Sequence, residues 1–338
     1  MTIQYNEFSL TIISSFEMAS SVSRGYLSQQ SAGSEASDIG WSEGDPLCRL
    51  PYEVLLHLFD CVPPREIVKT CQLVCKGWRC FFEEPSFWQL RMKQHGNYHS
   101  KLDHLSGVNW AKLCLYTAHE PNLIKSFDSN GRLSLEPWAI VYQDWSHMSE
   151  HYITEGLQQA SGDASNVASR QQRGPRGWGG DGWSIEEWIE RGKPMDQNVL
   201  KENGGCTKNY VTSYYWCCRW QMIDLHKYGF VPEVMDVVQP AIVVSEWFCA
   251  RWDCGSIFKI KIALLDEDFK FLKTYEHSEE TAQWRGGDLG WRKVKHIFRD
   301  YGAGVRYVLF LDGGKDTKWW AGHYGSKMAA AHVEINFA

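Results

Sequence analysis

A small all-α three-helix module followed by an all-β antiparallel sandwich is the fold class this 338-residue sequence predicts, and three observations carry it. Three apolar patterns at helical spacing follow one another between Leu50 and Gln94, each with its own start signal. From Pro121 onward the texture changes to short alternating runs separated by Gly, Asp and Pro. No helical pattern alternates with those runs, so a doubly wound α/β sheet is excluded.

Residues 1–46 form a Ser-rich tail, with Ser14-Ser15, Ser20-Ser21 and the tract from Ser28 to Ser34, too polar to build a core and expected to be disordered. Residues 47–95 form the helical module. Pro51 stands at the first helical position, where its missing N–H costs nothing, and Val54, Leu55, Leu58 and Phe59 then share a face. Pro63-Pro64 ends that helix and starts a second, with Ile67, Val68, Cys71, Leu73 and Val74 as its apolar stripe. In the third, Trp78, Phe81, Phe82, Phe87 and Trp88 crowd a length too short to bury them all, so part of that surface needs a partner. Residues 96–121 read as a helical linker, with Trp110, Leu113 and Tyr116 at helical spacing.

Residues 122–338 carry the sandwich. Asn122 to Trp145 is weakly patterned, and about 148–182 reads as a mobile loop rich in Ser, Gln, Gly and Arg. Tyr210 to Ile223 reads as one half-buried strand, with Tyr214, Trp216, Cys218, Trp220 and Met222 on one face and Tyr215, Cys217, Arg219 and Gln221 on the other. A short helix is expected at Pro232 to Val238. Further strands are expected at Ile242 to Phe248, Phe258 to Leu265, Phe269 to Tyr275, Trp291 to Phe298, Val305 to Leu311 and Val333 to Phe337. Turns are expected at Asp266-Glu267-Asp268, Asp300-Tyr301-Gly302 and Asp312-Gly313-Gly314.

Composition excludes several functions. A formal charge of −6 argues against a nucleic-acid partner, whose phosphates call for a basic face. Eleven Cys without a repeated spacing point away from a disulfide scaffold and towards the reducing cytosol, hence a cytoplasmic protein. Cys71-x3-Cys75 and Cys249-x4-Cys254 have no second ligand pair at zinc spacing, so they read as small buried hydrophobes. No apolar run is long enough to cross a membrane, and Met1 to Phe16 lacks the basic start of a signal peptide. Glu186-Glu187 and Glu279-Glu280 are adjacent pairs whose side chains diverge, which is unsuited to a hydrolytic acid/base couple. With no HExxH, GxSxG or phosphate loop either, no catalytic constellation or cofactor is expected.

Leu50-Pro51-x-Glu53, Pro63-Pro64, the run from Cys71 to Arg79 and the trailing Phe87-Trp88 resemble the F-box, the module that docks substrate receptors onto Skp1 and through it onto the cullin and RING subunits of ubiquitin ligases. The resemblance implies that Leu50, Pro51, Leu55, Val74, Cys75 and Trp78 lie in or beneath the Skp1-facing surface. Lys208 to Cys217, Pro240 to Phe248 with Ala250-Arg251-x-Asp253-x-Gly255, and Gly313 to Gly325 resemble the F-box-associated domain. That family implies a jelly-roll-like sandwich that in several members grips the inner chitobiose of N-glycans on misfolded glycoproteins bound for endoplasmic-reticulum-associated degradation.

A sugar ring has a C–H face and a hydroxyl rim, so its site needs an aromatic plate and directional polar groups. Trp319-Trp320 in a Gly/Asp-flanked loop suits the plate. By matching motif positions, Tyr214, Trp319 and Trp320 correspond to the family's sugar-contacting residues. The sequence departs at two positions that follow these aromatics: Tyr215 stands where sugar-binding members have a carboxylate, and Ala321 where a well-characterised one has Lys. Each lost hydrogen bond is worth about 0.5–1.5 kcal/mol. A sandwich that binds protein surfaces without a glycan is therefore the alternative.

Overall fold

The computed structural model describes residues 50–141, 144–150, 153–154, 181–188, 194–283 and 290–337. The Ser-rich tail and most of the 148–182 loop fall outside those residues. The chain divides into two compact units, Met1–Gly96 and Asn97–Ala338.

The first unit is helical: α1 Tyr52–Asp60, α2 Pro64–Lys69, a single 3-10 turn Cys71–Leu73, α3 Lys76–Glu83 and α4 Pro85–Gln94. The third sequence pattern is thus two helices. Pro85 forces the residue before it out of helical backbone, and Glu84 is extended at φ −71°, ψ 123°. Phe59 is the hub of the core, meeting Trp78 at 4.8 Å and Phe82 at 4.7 Å, both edge to face. Arg91 of α4 is buried and ends α1: Nη1 donates to Phe59 O at 2.9 Å, and Nη2 donates to Asp60 O at 3.1 Å and Val62 O at 2.7 Å. Phe59 and Asp60 belong to the last turn of α1, where helix carbonyls run short of backbone donors, although Phe59 O also accepts from Val62 N at 3.1 Å; Val62 follows the helix end.

The segment read as a linker opens the second unit, as a 3-10 turn Ser100–His104, a short helix α5 Trp110–Cys114 and a π turn Leu115–His119. It packs against the body of that unit: Tyr116 meets Tyr228 edge to face at 4.8 Å, and Lys101 Nζ donates to Val237 O at 3.2 Å. Among the described residues ten strands come after it: β1 Ala139–Val141, β2 Ser184–Glu187, β3 Lys208–Val211, β4 Cys217–Asp224, β5 Ala241–Cys249, β6 Ser256–Leu265, β7 Phe271–Thr281, β8 Arg292–Phe298, β9 Tyr307–Asp316 and β10 Lys327–Asn336. They form two antiparallel sheets, ordered β1-β4-β9-β6-β7 and β2-β3-β10-β5-β8. The sheets meet through their inner faces, where Phe248 of β5 stacks on Phe258 of β6 at 4.1 Å.

In the helical unit the five aromatics expected to be too many to bury, Trp78, Phe81, Phe82, Phe87 and Trp88, are all buried, and in the sandwich two elements differ from the sequence reading. Tyr210 to Ile223 is not one strand, because Thr212 to Trp216 turn a corner that leaves β3 in one sheet and β4 in the other. Asp312-Gly313-Gly314 is not a turn, because β9 runs straight through it to Asp316. A Cβ on Gly313 would stand 2.6 Å from Cys217 O, and one on Gly314 would stand 2.8 Å from Ile257 O, so the flanking strands require glycine there.

Both outer faces are covered in part. Met148 and Ile153, within the span read as a mobile loop, join Val141 against Cys218, Ala263, Leu265, Leu309 and Leu311. A helix α6, Gln197–Glu202, brings Val199 onto Cys249, Trp291 and Ala329.

A charged cluster lies inside the sandwich. Arg219 of β4 bonds Asp312 of β9 through Nε at 2.8 and 3.0 Å, and reaches Glu246 of β5, in the other sheet, through Nη2 at 3.0 Å. All three side chains have no solvent exposure. The guanidinium carbon lies 3.9 Å from the ring centre of Tyr210, 4.0 Å from Trp138 and 4.9 Å from Trp183. Burial and the Asp312 charge push the Glu246 carboxyl well above its usual range, although Arg219 pulls the other way. Burial raises Asp312 as well.

Candidate functional site

The β9–β10 loop, Thr317 to Ser326, carries the two indoles and is tied down on three sides. Asp316 N donates to Ser213 O at 3.0 Å and Gly325 N to Thr212 O at 2.9 Å, fixing it to the β3–β4 corner. Thr317 N donates to Gly255 O at 3.0 Å, fixing it to the β5–β6 loop. Asp181 takes the third side, its carboxylate accepting from Gly322 N and its carbonyl lying 3.2 Å from His323 Nε2. The buried Asp316 carboxylate organises the loop from within, Oδ1 accepting from Lys318 N at 2.7 Å and Trp319 N at 2.6 Å.

Those bonds hold Trp319 at φ 59°. A left-handed backbone costs a residue with a Cβ about 1–2 kcal/mol, strain of the kind that collects at functional loops. Its effect is to send consecutive indoles to different neighbours. Trp319, 62% exposed, lies 6.3 Å from the Tyr215 ring, and Trp320, 39% exposed, stands edge-on to Tyr324 at 5.5 Å. Arg251 sits 4.4 Å over Tyr324 and is held by Asp253 at 2.7 Å. Of the residues singled out in the sequence, Tyr215 and Trp319 come together. Tyr214 is half-buried beside Tyr215, and Ala321 is exposed at the loop tip. Spacing gave no sign of Tyr324, Arg251 or Asp181, whose partners arrive from other loops.

In the helical unit, Leu55 and Trp78 lie in the core, Leu50 and Cys75 are half-buried, and Pro51 is exposed. Cys75 Sγ accepts from Trp78 N at 3.4 Å and caps α3. Val74, 58% exposed, is joined by Leu73, 74% exposed, and by Val68 and Tyr52 as large apolar side chains in solvent. Interaction surfaces carry exposed apolar side chains of this kind. Among the described residues no helix is long and apolar enough to cross a membrane, and no cluster of His, Cys, Asp or Glu is arranged to hold a metal.

Family models match this architecture at both ends, one described as F-box-like over residues 47–91 and one as the F-box associated region over residues 114–335. The chain belongs to the F-box proteins that carry an F-box associated region, a class of substrate receptor in SCF ubiquitin ligases that acts as an adaptor. Its relatives include F-box only protein 44 of Homo sapiens, 31% identical over 286 residues that cover 85% of this chain and 95% of that one. F-box only protein 2 of Bos taurus is 28% identical over 299 residues, covering 88% and 86% respectively. Among solved structures, TmCBM61 in complex with β-1,4-galactotriose aligns with a TM-score of 0.26 at 10% identity, over 46% of this chain and 88% of that one. A likeness that low carries no argument, and the two-sheet fold rests on its own hydrogen-bonded ladders.

Proposed function

We propose that the loop end of the sandwich binds N-linked glycans on misfolded glycoproteins in the cytoplasm. The helical unit then presents them, through Skp1, to the cullin and RING subunits for ubiquitination and endoplasmic-reticulum-associated degradation. The observation that carries the glycan reading is Trp319, an indole held in strained backbone by Asp316 and left mostly in solvent beside Tyr215. An exposed plate maintained at a conformational cost suits stacking on a sugar C–H face.

The test is binding of a chitobiose-containing glycan to the full-length chain. Trp319→Ala and Trp320→Ala are expected to abolish retention while the melting temperature changes little, and Ala321→Lys with Tyr215→Glu to strengthen it. If the wild-type chain retains no such glycan at millimolar concentration, or captures clients equally well after enzymatic deglycosylation, the site serves protein surfaces instead. Docking to Skp1 has its own test in Val74→Asp. That side chain is exposed, so the substitution should abolish co-purification with Skp1 without unfolding the helical unit, and unchanged co-purification removes Val74 from the docking surface.

A further inference from the structure

Beside the indole plate lies a pair of cations that the glycan reading leaves unused. In the β6–β9 ladder Ile257 pairs with Lys315 and Lys259 with Gly313. Lys259 and Lys315 are therefore diagonal neighbours on one face, about 7–8 Å apart at Cα. It is the outer face of the first sheet, since Phe258 and Ile260, which alternate with Lys259, belong to the buried interior. The buried indole of Trp216 serves both lysines: Nζ of Lys259 lies 5.2 Å and Nζ of Lys315 5.3 Å from its ring centre. Lys315 Nζ is also 5.5 Å from the Trp319 ring, and Lys259 Nζ is 5.8 Å from Trp145. A continuous row of Trp319, Lys315, Trp216, Lys259 and Trp145 thus leads from the loop onto the sheet.

Neither ammonium forms an ion pair among the described residues. Lys261, two places along the same face, does, with Glu276 at 2.9 Å. The next carboxylate on the same face of that strand, Glu280, pairs across the ladder with Ile257 and makes no salt bridge to either lysine. Two half-buried cations sharing one indole repel each other, and cation–π contact offsets only part of that. An anion placed between them would relieve the repulsion, at a distance where a ligand on Trp319 can supply it.

We propose that Lys259 and Lys315 form an anion seat adjoining Trp319, which takes a phosphate monoester carried on a sugar of the glycan stacked there. The seat rests on the glycan reading and narrows it from neutral to acidic oligosaccharides. Lysine suits this role, because a compact charge on a flexible stem accepts an anion at more than one angle.

The experiment compares two ligands on the full-length chain by calorimetric titration: a chitobiose-containing high-mannose oligosaccharide, and the same oligosaccharide bearing one phosphate monoester. The phosphorylated form should bind about ten-fold more tightly at low ionic strength, with the advantage shrinking as salt is added. In Lys259→Gln/Lys315→Gln the ratio of the two affinities should fall to about one, with the melting temperature held as a check on folding. Equal affinities in the wild-type chain, with the neutral oligosaccharide still bound, overturn the seat and leave the glycan reading standing. A phosphate preference that persists in the double variant also overturns it. If neither oligosaccharide binds, the glycan reading fails and the seat falls with it.

Discussion

Replacing Arg219 by Met is the perturbation the sandwich should tolerate least. The substitution keeps the apolar stem between Trp138 and Tyr210 but removes the cation from two carboxylates that have no access to water. Three charge-assisted bonds of 2.8, 3.0 and 3.0 Å disappear, and Asp312 and Glu246 are left facing each other. Removing one partner of a buried ion pair typically costs about 3–5 kcal/mol, which for a unit of this size lowers the melting temperature by roughly 6–20 °C. Glu246→Gln should behave differently. One cation and two carboxylates would bury a net negative charge, and Glu246, the group raised most by burial and by Asp312, is the one that takes up the proton. A neutral amide therefore resembles the native state, retains an oxygen for Arg219, and should cost about 1 kcal/mol or less. Urea unfolding of both variants, followed by tryptophan fluorescence, is the assay. If Glu246→Gln destabilises as much as Arg219→Met, Glu246 is ionised in the fold and the charge assignment is wrong; if Arg219→Met shifts the midpoint by under about 1 kcal/mol, the cluster does not hold the sheets together.

Two further outcomes concern groups outside that cluster. Arg91→Ala removes the guanidinium donor from the carbonyls of Phe59, Asp60 and Val62, of which Phe59 O keeps the bond from Val62 N, at about 1.5–3 kcal/mol for bonds to a charged group; the helical unit, too small to spare that amount, should unfold at clearly lower urea, and an unchanged midpoint refutes the capping role. Along the seam between β7 and β8, His296 stacks on Tyr275 at 4.2 Å, and His277 sits between Glu279 and Arg292. Burial lowers the pKa of both rings, with Arg292 adding to the effect at His277. Their unfolded values are the higher ones, so unfolding takes up protons as pH falls through about 6.5, and the His contribution to stability is lost on that side. Glu246, raised in the fold, has the opposite sign and favours the folded state on acidification. Because the two contributions oppose each other, the outcome is read as a difference: from about pH 7.5 to 5.5 the wild type should lose melting temperature relative to His277→Gln/His296→Gln, and a difference that stays constant across that range would show that the seam histidines do not titrate with folding.

Most strands were legible because their alternation survives in three dimensions. In β6 the residues Phe258, Ile260, Ile262 and Leu264 alternate with Lys259, Lys261 and Ala263, and the extended strand contains the whole of the expected run. The misreadings arise where local chemistry is ambiguous. Asp312-Gly313-Gly314 has the composition of a turn, yet its glycines are dictated by Cys217 O and Ile257 O, groups more than fifty residues away in sequence. Tyr210 to Ile223 alternates without a break, and only the long-range bonds of Thr212 and Ser213 to the residues around the β9–β10 loop show that the chain turns there. Arg219 offered no signal at all, because a single charge on an alternating strand reads as solvent-facing until Asp312 and Glu246 arrive from other strands.

The same limit explains the site. The pair Trp319-Trp320 stands out in the sequence because consecutive large aromatics between turn residues have no regular element to bury them, whereas Tyr214 and Tyr215 read as strand residues and stand out only through the motif they share with the family. What the sequence lacks is the selection among them. Asp316 makes the choice: by accepting from Lys318 N and Trp319 N it imposes the left-handed turn that pairs Trp319 with Tyr215 and leaves Trp320 to Tyr324. Asp316 can be placed there because β9 continues through the two glycines, which carries its side chain to the end of the sheet and into the loop. The glycines misread as a turn are thus what delivers the exposed indole to the end of the sandwich, and an alanine at Gly314 should disturb the loop as well as the strand.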